Sequence, residues 1–247
     1  MGDVMIVTGG GRGIGRATCL RAAAAGYDVV VNWAHDRSAA ESATERCTEF
    51  GVQAVAVQAD VADESAVTAM FEEAARLGSL RVLVNNAGIV QPQQRFDEMT
   101  VDRWRKMLDV NVIGAFTCAR EAVRRMSTRH GGAGGAIVNV SSAAAYLGSP
   151  GEYVDYAASK AAIDTMTIGL GKELAEEGVR VNAVRPGVVT TEIHASGGEP
   201  GRANRVAPTV PMKRPGDPDE VAAAIMWLAS AEASYITGTT LDCSGGR

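Results

Sequence analysis

Cysteine, histidine and aromatic side chains are all scarce in this chain: four cysteines, three histidines, and 5% Phe, Trp and Tyr among 247 residues. The cysteines (Cys19, Cys47, Cys118, Cys243) stand far apart, and none falls in a Cys-x-x-Cys pair. That argues against a disulfide framework and for free buried thiols in a reducing cytoplasm. His35, His130 and His194 are equally scattered, so no metal site is expected. Positive charge is not in excess either. The net charge is -5, which offers nothing to nucleic acid or to an anionic membrane surface. No apolar run approaches the roughly 18 residues of a membrane span. Charged Asp3 and Arg12 arrive before an apolar signal segment could form. The expectation is a cytoplasmic chain with neither membrane nor nucleic acid as partner.

Apolar residues, by contrast, make up 46% of the chain, enough for a large buried core. Short β-branched runs ("VMIV", "DVVVN", "AVAVQ", "RVLVNN", "AIVNV", "VRVNAV") alternate with Ala-rich helical stretches, and "TTLDCSG" closes the series. Runs apolar on both faces imply a parallel sheet covered by helices on each side. The expected fold is α/β: a single doubly wound Rossmann-type domain over residues 1–247, with about seven parallel strands flanked by helices. A helix is expected from near Asp155 to about Glu177. Residues 190–216 are rich in Gly and Pro and lie between the sixth strand and the last helix. Open α/β sheets bind ligands beyond the carboxyl ends of their strands, so this segment reads as a substrate lid.

The stretch "VTGGGRGIG", Val7 to Gly15, places five glycines between the first strand and the first helix. Ordering glycine is entropically costly, and free backbone N–H groups at a helix N-terminus suit an anion. A P-loop would need Lys and Ser/Thr where Arg16 and Ala17 stand. No frame satisfies Gly-x-Gly-x-x-Gly. What fits is Gly9-x3-Gly13-x-Gly15, with Ile14 between the last two glycines.

This Thr-Gly-x3-Gly-x-Gly form resembles the cofactor loop of the short-chain dehydrogenase/reductase family, and the similarity continues down nearly the whole chain. Asp60-Val61 ends the third strand, where the family contacts adenine. Asn85-Asn86-Ala87-Gly88 matches the family's Asn-Asn-Ala-Gly signature. Pro186-Gly187 follows the sixth strand, where the family's backbone meets the nicotinamide carboxamide near Val189 and Thr191. The resemblance implies a nicotinamide dinucleotide as cofactor.

Proton chemistry points to "SSAAAYLGSPGEYVDYAASK". Tyr156 and Lys160 are four apart at a helix start and share one face. Tyr146 and Tyr153 have no lysine four residues on. A free phenol titrates near 10, and a neighbouring ammonium favours the phenolate. Bringing Tyr156 towards neutrality asks Lys160 and its surroundings for roughly 3–4 kcal/mol. Ser142 ends the fifth strand, where an active-site hydroxyl belongs. The resemblance assigns Ser142 to holding the substrate carbonyl and Asn111 to a water relay through Lys160, which also holds the cofactor ribose alongside Tyr156. Many family members separate the serine and tyrosine by thirteen positions. Here Ser142 and Tyr156 are fourteen apart, which predicts a bulge around "SPGEYVD" at the pocket's border.

NAD-preferring relatives carry an acid at the end of the second strand. Here, after Asn32, Trp33 takes that position, followed by His35 and Arg37, with Arg12 in the glycine loop; Asp36 is the counter-evidence, an acid that a shifted loop would aim at a ribose. NADP(H) is therefore favoured over NAD(H). The overall resemblance is to bacterial 3-oxoacyl-acyl-carrier-protein reductases and to sugar and alcohol dehydrogenases. It implies a reductase of 3-oxoacyl or other ketone carbonyls, with a sugar or polyol dehydrogenase as the alternative. A silent NADP(H)-binding sensor is a remote third reading. Arg129-His130-Gly131 resembles a basic patch for an acyl carrier protein, but Glu176-Glu177 and the "GGAGG" insertion interrupt it. A small carbonyl or alcohol substrate and a homotetramer are the expected partners.

Overall fold

The computed structural model describes residues 2–247. In chain order the elements are β1 (Gly2–Val7), α1 (Gly13–Ala24), β2 (Asp28–Trp33), α2 (Arg37–Thr48), β3 (Ala54–Gln58), α3 (Glu64–Leu77) and β4 (Gly78–Asn85). There follow α4 (Val101–Leu108), α5 (Gly114–Met126), β5 (Gly135–Val140), α6 (Ala144–Leu147), α7 (Val154–Glu173) and β6 (Val179–Pro186). The chain ends with α8 (Ile193–Ser196), α9 (Arg202–Val206), α10 (Pro218–Ala229) and β7 (Thr240–Cys243). Seven parallel strands form one sheet in the order β3-β2-β1-β4-β5-β6-β7.

Alternation along β1 shows how the sheet is covered. Met5 and Val7 face a core built with Cys19 and Ala22 of α1, Ala40 and Ala43 of α2, and Ile225 and Leu228 of α10. Val4 and Ile6 face Met70 and Phe71 of α3 and Cys118 and Ala122 of α5. Each large side chain buried there contributes roughly 1.5–3 kcal/mol. The central strands are apolar on both faces for this reason, whereas the edge strands β3 and β7 are only partly buried. All four cysteines are free thiols, three of them fully buried.

Chain order reverses about β1, whose neighbours are β2 and β4. That is the switch point at which doubly wound sheets open a crevice. Helices α3 and α10 carry side-chain caps at their N-termini: Asp63 accepts from Ser65 and Ala66 at α3, and Asp217 and Glu220 form a capping box at α10. The N-caps of α1 (Arg12) and α7 (Tyr153) supply no side-chain cap. α7 stops at Glu173; residues 175–177 form a separate 3₁₀ turn closed by Gly178 at φ 74°. Residues 190–216 contain α8, α9 and a 3₁₀ turn and include no strand. No helix among the described residues is long and apolar enough to cross a membrane.

Candidate active site

A cavity of about 720 Å³ runs along the carboxyl ends of the strands, from Trp33 and Asp60 at one end to Tyr156 and the 190–216 segment at the other. The glycine loop forms its floor. Gly9 and Gly13 adopt φ of +63° and +51°, which side chains rarely tolerate. A Cβ on Gly15 would meet the Gly9 carbonyl oxygen and the Asn86 amide. Thr8 fixes the loop from below: its hydroxyl accepts from the N–H groups of Asn86 and Ala87, both at 2.9 Å. The Asn86 side chain donates to the Thr8 and Gly9 carbonyls. On the other side Asn32 accepts from Gly9 N–H at 3.2 Å and donates to the Ala59 carbonyl at 2.9 Å.

These restraints leave the uncapped N-terminus of α1, with no acidic residue in its first turn, facing the cavity. Backbone N–H groups and the helix dipole there suit a diphosphate. Trp33, Ala34 and His35 line the end of β2, and Asp60, Val61, Ala87 and Gly88 line the ends of β3 and β4. Pro186, Gly187, Val189 and Thr191 continue from β6. The shape and donor set fit a dinucleotide. Arg12 is exposed at the loop and forms no ion pair among the described residues. Asp36 lines the same region, but its carboxylate is engaged as the cap of α2, accepting from Ala39 N–H at 3.0 Å. Arg37 turns away from the cavity and pairs with Glu41 at 2.7 Å. Gly15 and Asn111 also lie outside the cavity lining, behind it.

Ser142, Tyr156 and Lys160 meet at the other end. Ser142 and Ser141, adjacent in sequence, are sorted by the strand: Ser142 lines the cavity together with Tyr156, its hydroxyl accepting from the Ala144 N–H at 3.1 Å. Ser141 is buried and donates to the Lys160 carbonyl at 3.1 Å. Between α6 and α7, in the stretch where the spacing predicts a bulge, Ser149 adopts φ +46°. Lys160 is 4% exposed, and its ammonium donates to the Val140 carbonyl at 2.7 Å. The ammonium also stands 5.7 Å from the Tyr156 ring centroid.

Burial dominates the electrostatics. It pushes the Lys160 ammonium down to about 8, against the opposing Asp164 carboxylate. It raises the Tyr156 phenol above its ordinary value, with the Ser142 hydroxyl pulling the other way. Lys160 makes no hydrogen bond to the Tyr156 hydroxyl among the described residues; its ammonium donates to the Val140 carbonyl. Desolvation penalises the phenolate, and the ammonium is committed to a backbone carbonyl. Tyr156 keeps part of its surface open to the cavity.

Asn111 sits in a π-helical turn, Asp109–Ile113, between α4 and α5. Its amide is fixed by Ile89, accepting from the N–H at 2.8 Å and donating to the carbonyl at 3.0 Å. A Cβ on Gly88 would lie 3.4 Å from both Asn111 Oδ1 and Lys160 Nζ. A glycine there lets the two groups flank one point. The sequence does not single out Tyr153, Glu152 or Arg202 as site residues. Tyr153 is buried against the cavity, with the Arg202 guanidinium 5.2 Å from its ring centroid. Arg202 of α9 pairs with Glu152 at 2.7 Å. Only the Gly/Pro content of the segment signals an excursion over the site. The pairing itself has no local signature.

The chain is similar to known proteins over nearly its whole length. The family model described as enoyl-(acyl carrier protein) reductase matches residues 9–247. The chain is 54% identical over 245 residues to the uncharacterized oxidoreductase YgfF of Escherichia coli K12, covering 99% of each chain. It is 37% identical over 242 residues to the 3-oxoacyl-[acyl-carrier-protein] reductase FabG of Staphylococcus aureus Mu50, covering 98% of this chain and 96% of that one. A double mutant of a Serratia marcescens short-chain dehydrogenase/reductase superposes with a TM-score of 0.90 at 34% identity, covering 100% of this chain and 98% of the other. The fold and site define an oxidoreductase of the kind that binds NAD(P). The chain belongs to the short-chain dehydrogenase/reductase family.

Proposed function

We propose that this oxidoreductase reduces ketone or 3-oxoacyl carbonyls to secondary alcohols with NADPH, and runs the reverse reaction with NADP. The observation that carries the reading is the meeting of Ser142, Tyr156 and Lys160 in one cavity with the glycine loop. A bound nicotinamide dinucleotide supplies or accepts the hydride. Tyr156 gives or takes the proton at its hydroxyl, and Ser142 orients the substrate oxygen. Lys160 holds the ribose and tunes Tyr156, and Asn111 relays a proton towards Lys160 through water. The glycine loop, Asn86, Asp60 and Val61 hold the dinucleotide. Pro186, Gly187, Val189 and Thr191 place its reactive end.

Support for NADP(H) comes from Trp33 in the acid's position, the unpaired Arg12, and Asp36 committed to its helix cap. Residues 190–216 act as a substrate lid. The carrier-protein patch contains an acid of its own, Glu177, 3.8 Å from Arg129. A free, small carbonyl substrate therefore fits better than a carrier-bound one. Glu152, Arg202 and His194 also line the substrate end, which favours a sugar or polyol as the second reading. Exposed apolar side chains on α4, α5 and α7 and on the turn between α4 and α5 (Leu108, Ile113, Phe116, Ile168) support a homotetramer. Buried free thiols support the cytoplasm. A panel of ketones, 3-oxo esters and sugars, followed at the reduced-nicotinamide absorbance with NADPH and with NADH, tests the assignment. Ketone turnover preferring NADPH is expected. Binding of NADPH with no turnover across the panel would leave the sensor reading instead.

A further inference from the structure

Arg103 and Asp155 form the one ion pair among the described residues in which both side chains are less than a tenth exposed, at 7% and 3%. Arg103 Nε donates to Asp155 Oδ2 at 2.7 Å, and Nη2 donates to Oδ1 at 3.3 Å. The remaining nitrogen, Nη1, donates to the Pro92 carbonyl at 2.6 Å. One guanidinium thus ties α4 both to the segment leaving β4 and to the first turn of α7. Asp155 carries the link one step further. Its Oδ1 accepts from the backbone N–H of Tyr156 at 2.9 Å. The N-cap of α7 provides no side-chain acceptor, so this carboxylate does the capping, and Arg103 fixes the carboxylate.

Stability alone does not explain such a pair, because apolar side chains of similar volume generally replace a buried ion pair without loss. Its geometry does explain it. We propose that Arg103 and Asp155 are positioning residues, which hold the first turn of α7 so that the Tyr156 hydroxyl is aimed at the substrate oxygen. Neither residue touches the reacting atoms. Both act through the Tyr156 backbone. The inference rests on Tyr156 as the proton donor.

The test compares Asp155→Asn, Arg103→Lys and the double variant Arg103→Met/Asp155→Leu with the wild type. The substrate is the ketone the wild type turns over fastest, ethyl acetoacetate being the first probe. A displacement of about 1 Å at a reacting group slows a reaction on the order of a hundredfold. A loss in kcat of about tenfold or more is expected in each variant. NADPH affinity should stay within about twofold of wild type, because the glycine loop is untouched. The solvent isotope effect on kcat should rise as proton transfer becomes slower. The double variant leaves no charge unpaired but removes the partners of the Pro92 carbonyl and the Tyr156 N–H, so it is expected to fold with some loss of stability, read by urea unfolding, and still lose kcat. If it keeps wild-type kcat and isotope effect, or if kcat falls only in step with NADPH affinity, the pair is merely structural. Tyr156→Phe separates the two layers: near-full activity there would overturn the proton-donor reading. An inactive Tyr156→Phe beside fully active pair variants would overturn the positioning role alone.

Discussion

Replacing Lys160 by Met should change the pH dependence of stability in a direction that its burial fixes. The ammonium falls from its ordinary 10.5 to about 8, which at about 1.4 kcal/mol per tenfold in proton affinity is a folding penalty of about 3 kcal/mol. The folded-state pKa is depressed, so the penalty is complete below pH 8, where folded and unfolded chains both hold the proton. It shrinks as the pH rises from 8 towards 10.5, because the folded chain sheds its proton first. Between about pH 7 and 9.5 the wild type should recover about 2 kcal/mol relative to a variant with no proton at this site. Met keeps an unbranched apolar stem but leaves the Val140 carbonyl without its donor. That loss is the same at both pH values, as is the ionisation of Tyr156 in the two proteins to a first approximation. Urea unfolding of both proteins at pH 7 and pH 9.5, at one protein concentration, reads the difference directly. The stability of Lys160→Met relative to wild type should fall by about 2 kcal/mol across that interval. A difference that stays constant, or moves the other way, would show that Lys160 is not held as a desolvated charge.

Gly15→Ala places a methyl group against the Gly9 carbonyl and 2.6 Å from Asn86 Nδ2, so the loop must shift. The dissociation constant for NADPH, read by fluorescence titration, should rise about tenfold or more while the fold persists. Arg12→Ala should raise KM for NADPH by about tenfold, the value of a charge-assisted hydrogen bond, and leave KM for NADH unchanged. Equal effects on the two cofactors would remove Arg12 from 2′-phosphate recognition.

The sheet is legible in the sequence because its central strands are buried on both faces, so "DVVVN" and "AIVNV" read as strands without any neighbour's help. The glycine loop is legible for a different reason. Its constraint lies in the backbone, and Gly9, Gly13 and Gly15 record it one residue at a time. The helix pattern places the end of α7 four residues too late, because the chain continues from Glu173 into a 3₁₀ turn before Gly178 breaks it. Arg103 and Asp155 cannot be paired by spacing, lying 52 residues apart. Asn32 stands out by its place at the end of the second strand, but no local pattern shows that its side chain stitches the glycine loop to Ala59, just beyond β3. The spacing of Tyr156 and Lys160 shows that they share a face. It does not show that burial pushes each towards its neutral form, because desolvation depends on what the rest of the chain packs around them.

The central claim is that the Tyr156 hydroxyl moves the proton, and Tyr156→Phe tests it most directly by removing that oxygen and nothing else. NADPH should still bind to the variant, weakened by at most about tenfold through the loss of one ribose hydrogen bond, and turnover of the best ketone should fall by about 10²–10⁴-fold. Turnover near the wild-type rate, with NADPH still bound, would contradict it.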